Sequence, residues 1–465
     1  MPDDSARLRS IDYRAVFPWT HLFRGFRIAV DFRKVLVGAL GLLVLLLGDL
    51  AISRLPFSPP AAARGMGAGV TTDLAEARST LVEATRPLAG RPDGVGSWLS
   101  DQFVAVIRPW TDFVDRGGAI FRRETTADWS GTAHAWTRLL WLLIVTALFG
   151  GALARMAAVQ FARDEKLGLW PALRFAVARF PSFLTAPLLP VLGIGVLWGI
   201  VALLGLLGRI PVAGPPVVGA LWLIPLVLAF VMTLILLGVA AGWPLMYATI
   251  GTEDSDAFDG FSRSYSYVFG RPWQYLWTAL VAMIYGGLLV LFVAGVALLV
   301  LHLSAAAAAT GFGAANTEAL LSGMRPLFGL DVDPADSPAG PLRIGAALAG
   351  GWLSVIGLLV SGFAYSYFWT AATIIYFLLR HSDDGTDLDE VQLTGDADED
   401  DLLPLVGVAA SDQPVVERLP PIGATPTSAD PSTAPPSSPA ASGSPPTDPI
   451  PTGDTEFDIR DAPED

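Results

Sequence analysis

Long apolar runs, separated by charge and by proline, set the pattern of this chain. A hydrocarbon core about 30 Å thick is crossed by about 20 helical residues. Val35–Leu47, continuing past Asp49 to Ile52, predicts a first span at 35–53. Leu139–Ala154, extended past Arg155, predicts a second at 139–160. From Phe180 to Thr252 the only charge is Arg209, and that stretch is too long for one crossing. Gly208-Arg209-Ile210-Pro211 and Pro215-Pro216 divide it into spans at 183–207 and 217–245. Pro272–Thr317 carries no formal charge and holds a fifth span at 275–301. Ile344–Leu379 holds a sixth at 350–378, and the run exceeds the hydrocarbon thickness, so tilt or an interfacial first turn is expected. The predicted fold class is all-α, a polytopic bundle of about six spans.

A second pattern recurs just before spans one, three and five. Phe23-Arg-Gly-Phe26-Arg-Ile-Ala-Val30, Trp170-Pro-Ala-Leu173-Arg-Phe-Ala-Val177 and Phe258-Asp-Gly-Phe261-Ser-Arg-Ser-Tyr265 each place bulky residues at i, i+3 and i+7. A small residue (Gly25, Ala172, Gly260) precedes the middle one. The spacing is one stripe of a helix. It predicts three interfacial helices whose aromatic stripe dips into lipid while Arg24, Arg27, Arg174, Arg179 and Arg263 meet phosphates. The alternative is that any span entered from the basic side has such a lead-in; the shared small residue favours a threefold repeat of surface helix plus two-span hairpin.

Arginine placement orients the chain. The N-terminal segment (1–34), the segments after spans two and four, and Arg380 carry most of the charge near span ends. Both termini are therefore expected in the cytoplasm. The loop 54–138 is also Arg-rich, but long loops translocate largely regardless of charge. Within it, Thr72–Arg86 and Trp98–Phe121 read as amphipathic segments lying on the outer leaflet or capping the bundle. Residues 381–465 begin acidic and become rich in Pro, Ser, Thr and Ala, a composition expected to be disordered.

Composition agrees. Hydrophobic residues make up 52% and charged residues 16%, against about 25% charged in soluble domains. The net charge of −14 sits largely in the tail, so nucleic acid is not an expected partner. The chain has no cysteine, and His21, His134, His302 and His381 are scattered. No catalytic or metal-binding spacing is present, so no enzyme activity and no cofactor are expected. Arg155 reads as a snorkelling residue near a span end, with hydrogen bonding between helices as the sharper alternative. Ser354, Ser361 and Tyr365 fall roughly along one face of span six, as bundle-internal hydrogen-bonding groups or as a polar pathway. Pro187, Pro190, Pro225 and Pro244 read as kinks or as the broken helices of a transporter. Asp254, Asp256 and Asp259 read as helix-start capping.

The stretches Gly150-Gly-Ala-Leu-Ala-Arg-Met-Ala-Ala-Val-Gln-Phe-Ala-Arg-Asp-Glu165 and Asp256-Ala-Phe-Asp-Gly-Phe-Ser-Arg-Ser-Tyr-Ser-Tyr267 resemble uncharacterised multi-pass membrane proteins of planctomycete-type bacteria, over roughly residues 10–380. The helix-then-span unit is more loosely similar to membrane domains attached to bacterial glycerophosphodiester phosphodiesterases. The resemblance implies a bacterial inner-membrane location and a helical bundle, and carries no activity with it. The expected role is structural, assembly-related or envelope-related, with membrane lipids and a tail-bound protein as partners. The alternative is a transporter or channel for a small solute or lipid. A cavity reaching the midplane beside Ser361 and Tyr365 would favour transport; tight apolar packing there would count against it.

Overall fold

The computed structural model describes residues 17–56, 95–122, 129–322 and 340–392. These are predominantly helical, with no strand among the described residues. Six helices are long and apolar enough to cross a membrane: Phe32–Ser53, Trp129–Arg163, Phe180–Leu207, Leu223–Glu253, Pro272–Phe312 and Pro341–Asp384, here spans 1 to 6. The chain is thus a multi-pass, all-α membrane protein. The amphipathic segment at Thr72–Arg86, the first part of the N-terminal segment and the tail from residue 393 lie outside the described residues.

The helices overrun the apolar windows. Span 6 has 44 residues, about 66 Å at 1.5 Å per residue. Its last turn, His381–Asp384, is polar and mostly exposed, while Trp369–Arg380 just before it is buried against neighbouring helices. The division at Gly208–Pro216 is a turn followed by a short helix, Gly214–Ala220. Span 3 is itself broken, with Phe180–Thr185 followed by Leu188–Leu207. Pro181, Pro187, Pro190 and Pro225 all sit at helix caps or in first turns, where no intrahelical donor is missed. Pro244 is different, because it lies inside span 4. Its missing N–H leaves the carbonyl of Ala240, four residues back, without its helical donor.

The threefold pattern is repeated in space. The lead-in helices are Gly25–Ala29, entered through a 3-10 turn at Pro18–Arg24, then Leu169–Ala178 and Ala257–Gly270. Each packs on the end of an even-numbered span. The first lies on span 6, with Gly25 against Tyr367 and Ile374, and Ser366 Oγ donating to the Ala29 carbonyl at 3.1 Å. The second lies on span 2. The third lies on span 4, where Gly260 meets Ile250 and Met246. The small residue of each motif and the residue four further on (Gly25 and Ala29, Ala172 and Ala176, Gly260 and Ser264) are buried in that contact. The leading aromatic of each (Phe23, Trp170, Phe258) faces outward. The small positions are thus the packing face, since a small side chain lets two backbones approach.

Three ion pairs close the arrangement. Arg27 bonds Asp164 at 2.6 Å, Arg179 bonds Asp254 at 2.5 Å and Arg271 bonds Asp383 at 3.0 Å. Each joins a lead-in segment to the terminus of the even span of its own unit, though the arginines do not share one register position. Spans 2, 4 and 6 all end on a left-handed cap: Asp164, Asp254 and Gly385. Each lead-in helix therefore lies on the preceding even span and is tied to the following one. The first lead-in lies on the end of span 6, which closes the ring.

The even spans converge at their C-terminal ends into a hub in which Ala152–Phe161, Gly242–Thr252 and Gly362–Tyr367 are buried throughout. Away from the hub, spans 3, 4 and 5 turn large apolar side chains outward, among them Leu192, Trp198, Phe230 and Phe292. That is the surface a hydrocarbon solvent requires.

Candidate functional site

The helix Val95–Ala119, from the loop between spans 1 and 2, runs across the bundle as a cap. Phe103 meets Gly287 and Val106 meets Gly286 on span 5. Trp110 Nε1 donates to the Ala240 carbonyl at 2.6 Å, the acceptor that Pro244 left free. Phe113 stacks on Trp243 with ring centroids 4.5 Å apart. Arg116 then forms a bidentate pair with Asp49 at the end of span 1, at 2.8 and 2.6 Å. Arg138 lies 3.7 Å from the same carboxylate. On the cap helix, burial raises the Asp112 carboxyl above the ordinary carboxylate range, although Arg108 and Arg116 pull it down. The cap helix is thus bonded to span 1 and packed on spans 4 and 5.

Beneath the cap the centre is filled by aromatic rings. Trp243 and Trp369 are 5.3 Å apart, Tyr247 and Trp369 5.0 Å, and Phe183 and Tyr247 5.2 Å. Tyr365 joins them 6.2 Å from Trp369, and Tyr247 lies 3.4 Å from Thr146 Oγ1. Trp243, Tyr247 and Trp369 have no exposed surface.

At the hub end the polar groups gather. Glu253, the last residue of span 4, accepts from Arg263 at 2.9 Å and pairs with Arg380 at 3.1 Å. Tyr376 donates its hydroxyl to the same carboxylate oxygen. Desolvation lowers the Arg263 guanidinium, but Glu253, Tyr376 and Tyr267 together outweigh it and hold the group above its ordinary value. Burial, reinforced by a 2.6 Å hydrogen bond to Asp384, pushes the Tyr267 phenol upward. An open cavity of about 580 Å³ lies beside this cluster, between Arg263, Tyr267, Arg380 and Glu390. Held at one carboxylate oxygen by two guanidinium groups and one phenol, Glu253 is an anchor between spans 4 and 6 and the third lead-in helix.

After Gly385 the chain folds back over the hub. Arg380, Arg163 and Arg155 donate to the consecutive main-chain carbonyls of Glu390, Val391 and Gln392, at 3.0, 3.1 and 2.8 Å. The Gln392 N–H donates to the Thr252 carbonyl at 3.2 Å. Residues 385–392 thereby form a strap across spans 2, 4 and 6.

The residues singled out from sequence are distributed among these features. Arg155 is 3% exposed; it also donates to the Gly251 carbonyl at 3.0 Å and stacks over Phe175. It links helices and does not reach outward. Tyr365 belongs to the aromatic centre, while Ser354 donates to Gly350 of its own helix and Ser361 is half-buried. The structure does not bring the three into one passage. Arg27, Arg179 and Arg263 are paired with carboxylates; Arg174 is exposed, and Arg24 stacks over Phe161. Asp256 caps the third lead-in helix by accepting from the Asp259 N–H. Sequence reasoning passed over Glu253, Tyr376, Arg163 and the buried Lys34–Gln160 pair at 2.7 Å. Glu253 and Arg163 had one signal, since a charged residue lies in the last turns of every even span; Tyr376 and the Lys34–Gln160 pair had none. Among the described residues, no three His, Asp or Glu side chains converge to hold a metal ion. No family model matches the chain, and neither does a curated protein or a solved structure.

Proposed function

We propose that this chain is a non-enzymatic protein of the bacterial inner membrane, with a structural or assembly role and both termini in the cytoplasm. The observation that carries this reading is the centre of the bundle. The place where a transport pathway would pass beside Tyr365 holds interlocked aromatic rings, with Trp243, Tyr247 and Trp369 wholly buried. Selective passage needs a wettable, polar-lined route, and close packing of this kind resists rearrangement. The hub places the start of the acidic tail at the convergence of the even spans, which suits recruitment of a protein partner. Outward-facing Phe23, Trp170 and Phe258, with Arg24 and Arg174 on the same helices, suit contact with lipid headgroups.

The test compares proteins captured by in-membrane crosslinking with the full chain and with a chain ending at Gln392, which keeps the strap. A specific partner lost on truncation is expected. Identical partners for both chains, or solute flux through purified protein in liposomes, would sink the proposal.

A further inference from the structure

We propose that residues 385–392 are a releasable latch, which closes over the hub ends of spans 2, 4 and 6 and opens without unfolding them. Its three arginine hydrogen bonds end on main-chain carbonyls, so the hub holds the segment mainly by its backbone, with one looser side-chain pair between Arg380 and Glu390 at 3.8 Å. Of its side chains Val391 alone is buried, at 3% exposure, while Leu388 is partly covered and Asp387, Asp389, Glu390 and Gln392 are exposed. Gly385, at φ 71°, supplies the reversal that begins the segment, in a conformation open to glycine at little cost.

Set against one small apolar side chain and a few charge-assisted bonds is the entropy of ordering eight residues. The terms are of similar size, so the segment is poised to open as a local unit. The spans beneath do not depend on it. Glu253 still joins spans 4 and 6, and Arg155 still bonds Gly251, when the strap leaves. Opening would free the tail from Gln392 onward and bare the donors of Arg155, Arg163 and Arg380. Closure holds the root of the tail at the hub.

The absence of native cysteine makes the test clean. Single cysteines are introduced as V391C in the strap, D389C on its exposed side and A158C in the hub core. Maleimide labelling is followed in the full-length protein in lipid nanodiscs. V391C should label about tenfold or more slower than D389C, yet measurably faster than A158C. Adding Arg163→Ala, which removes the charge-assisted bond to the Val391 carbonyl, should speed V391C labelling about tenfold and leave A158C unchanged. If it also speeds A158C, Gln392→Pro, which removes the bond to Thr252 without altering a span, decides the matter by the same readout. Labelling of V391C as fast as D389C would mean the strap is not docked. Labelling as slow as A158C and unmoved by either variant would mean a permanent part of the hub. Either result overturns the proposal.

Discussion

Pro244 and Trp110 make a linked prediction. A proline inside a helix leaves the carbonyl four residues earlier without a donor, and here the Trp110 indole, from a different part of the chain, supplies one at 2.6 Å. Trp110→Phe keeps an aromatic ring but removes that donor. A buried carbonyl left unpaired costs about 1–3 kcal/mol, so the variant should lose roughly that, plus a smaller amount for reduced packing. Pro244→Ala restores a backbone N–H at that position, which can bond the Ala240 carbonyl within the helix. In that background Trp110→Phe should cost only its packing share. The quantity to measure is the coupling in a double-mutant cycle, expected at about 1–2 kcal/mol. Reversible unfolding in mixed micelles, followed by circular dichroism, reads it for all four proteins. Additive effects within about 0.5 kcal/mol would refute the claim that the proline is what recruits the cap helix. The sign of Pro244→Ala alone does not enter, because straightening span 4 could either relieve or disturb the packing of Trp243.

Two further outcomes follow from close contacts. At the crossing of spans 1 and 6, a Cβ on Gly362 would lie 2.7 Å from both the Ala39 nitrogen and the Val35 oxygen, so Gly362→Ala forces the backbones apart; a loss of about 1–3 kcal/mol is expected in the same unfolding assay. Gly295 faces open space, so Gly295→Ala should be neutral or stabilising by up to about 1 kcal/mol, and equal losses at the two sites would contradict the packing argument. At the hub, Glu253→Ala strands Arg380 and Tyr376, whose carboxylate partner is 11% exposed, and should cost about 3–5 kcal/mol. Arg263→Ala, removing a guanidinium 39% exposed, should cost no more than about 1 kcal/mol; comparable losses would show that Glu253 is not the shared anchor.

Much was legible from the chain alone. Six crossings, the break near Gly208–Pro216, the capping role of Asp256 and the three lead-in motifs with their small residue all follow from local rules: apolar length, helical period and proline geometry. Those rules act between residues a few positions apart, and the linear order of the chain contains them in full.

What the linear order did not contain was which face of each motif is the packing face. Bulky Phe23, Trp170 and Phe258 look like the apolar side and Gly25, Ala172 and Gly260 like spacers; against another helix the roles reverse, because close backbone approach favours the smallest residue. The same holds for polar groups near span ends. Arg155 reads as snorkelling when the only partners imagined are water and lipid. Its partners, Gly251 and Gln392, lie 96 and 237 residues away. Glu253, Tyr376 and Arg380 become one cluster only when spans 4 and 6 are side by side. The sequence by itself therefore determined that the chain crosses a membrane and which segments are apolar enough to do so, since burial in hydrocarbon is a property of each segment. Only the tertiary structure decided that the units interlock in a ring, that Pro244 is answered by Trp110 and that the root of the tail is held by three arginines, because a hydrogen bond depends on which distant atoms the fold brings within about 3 Å.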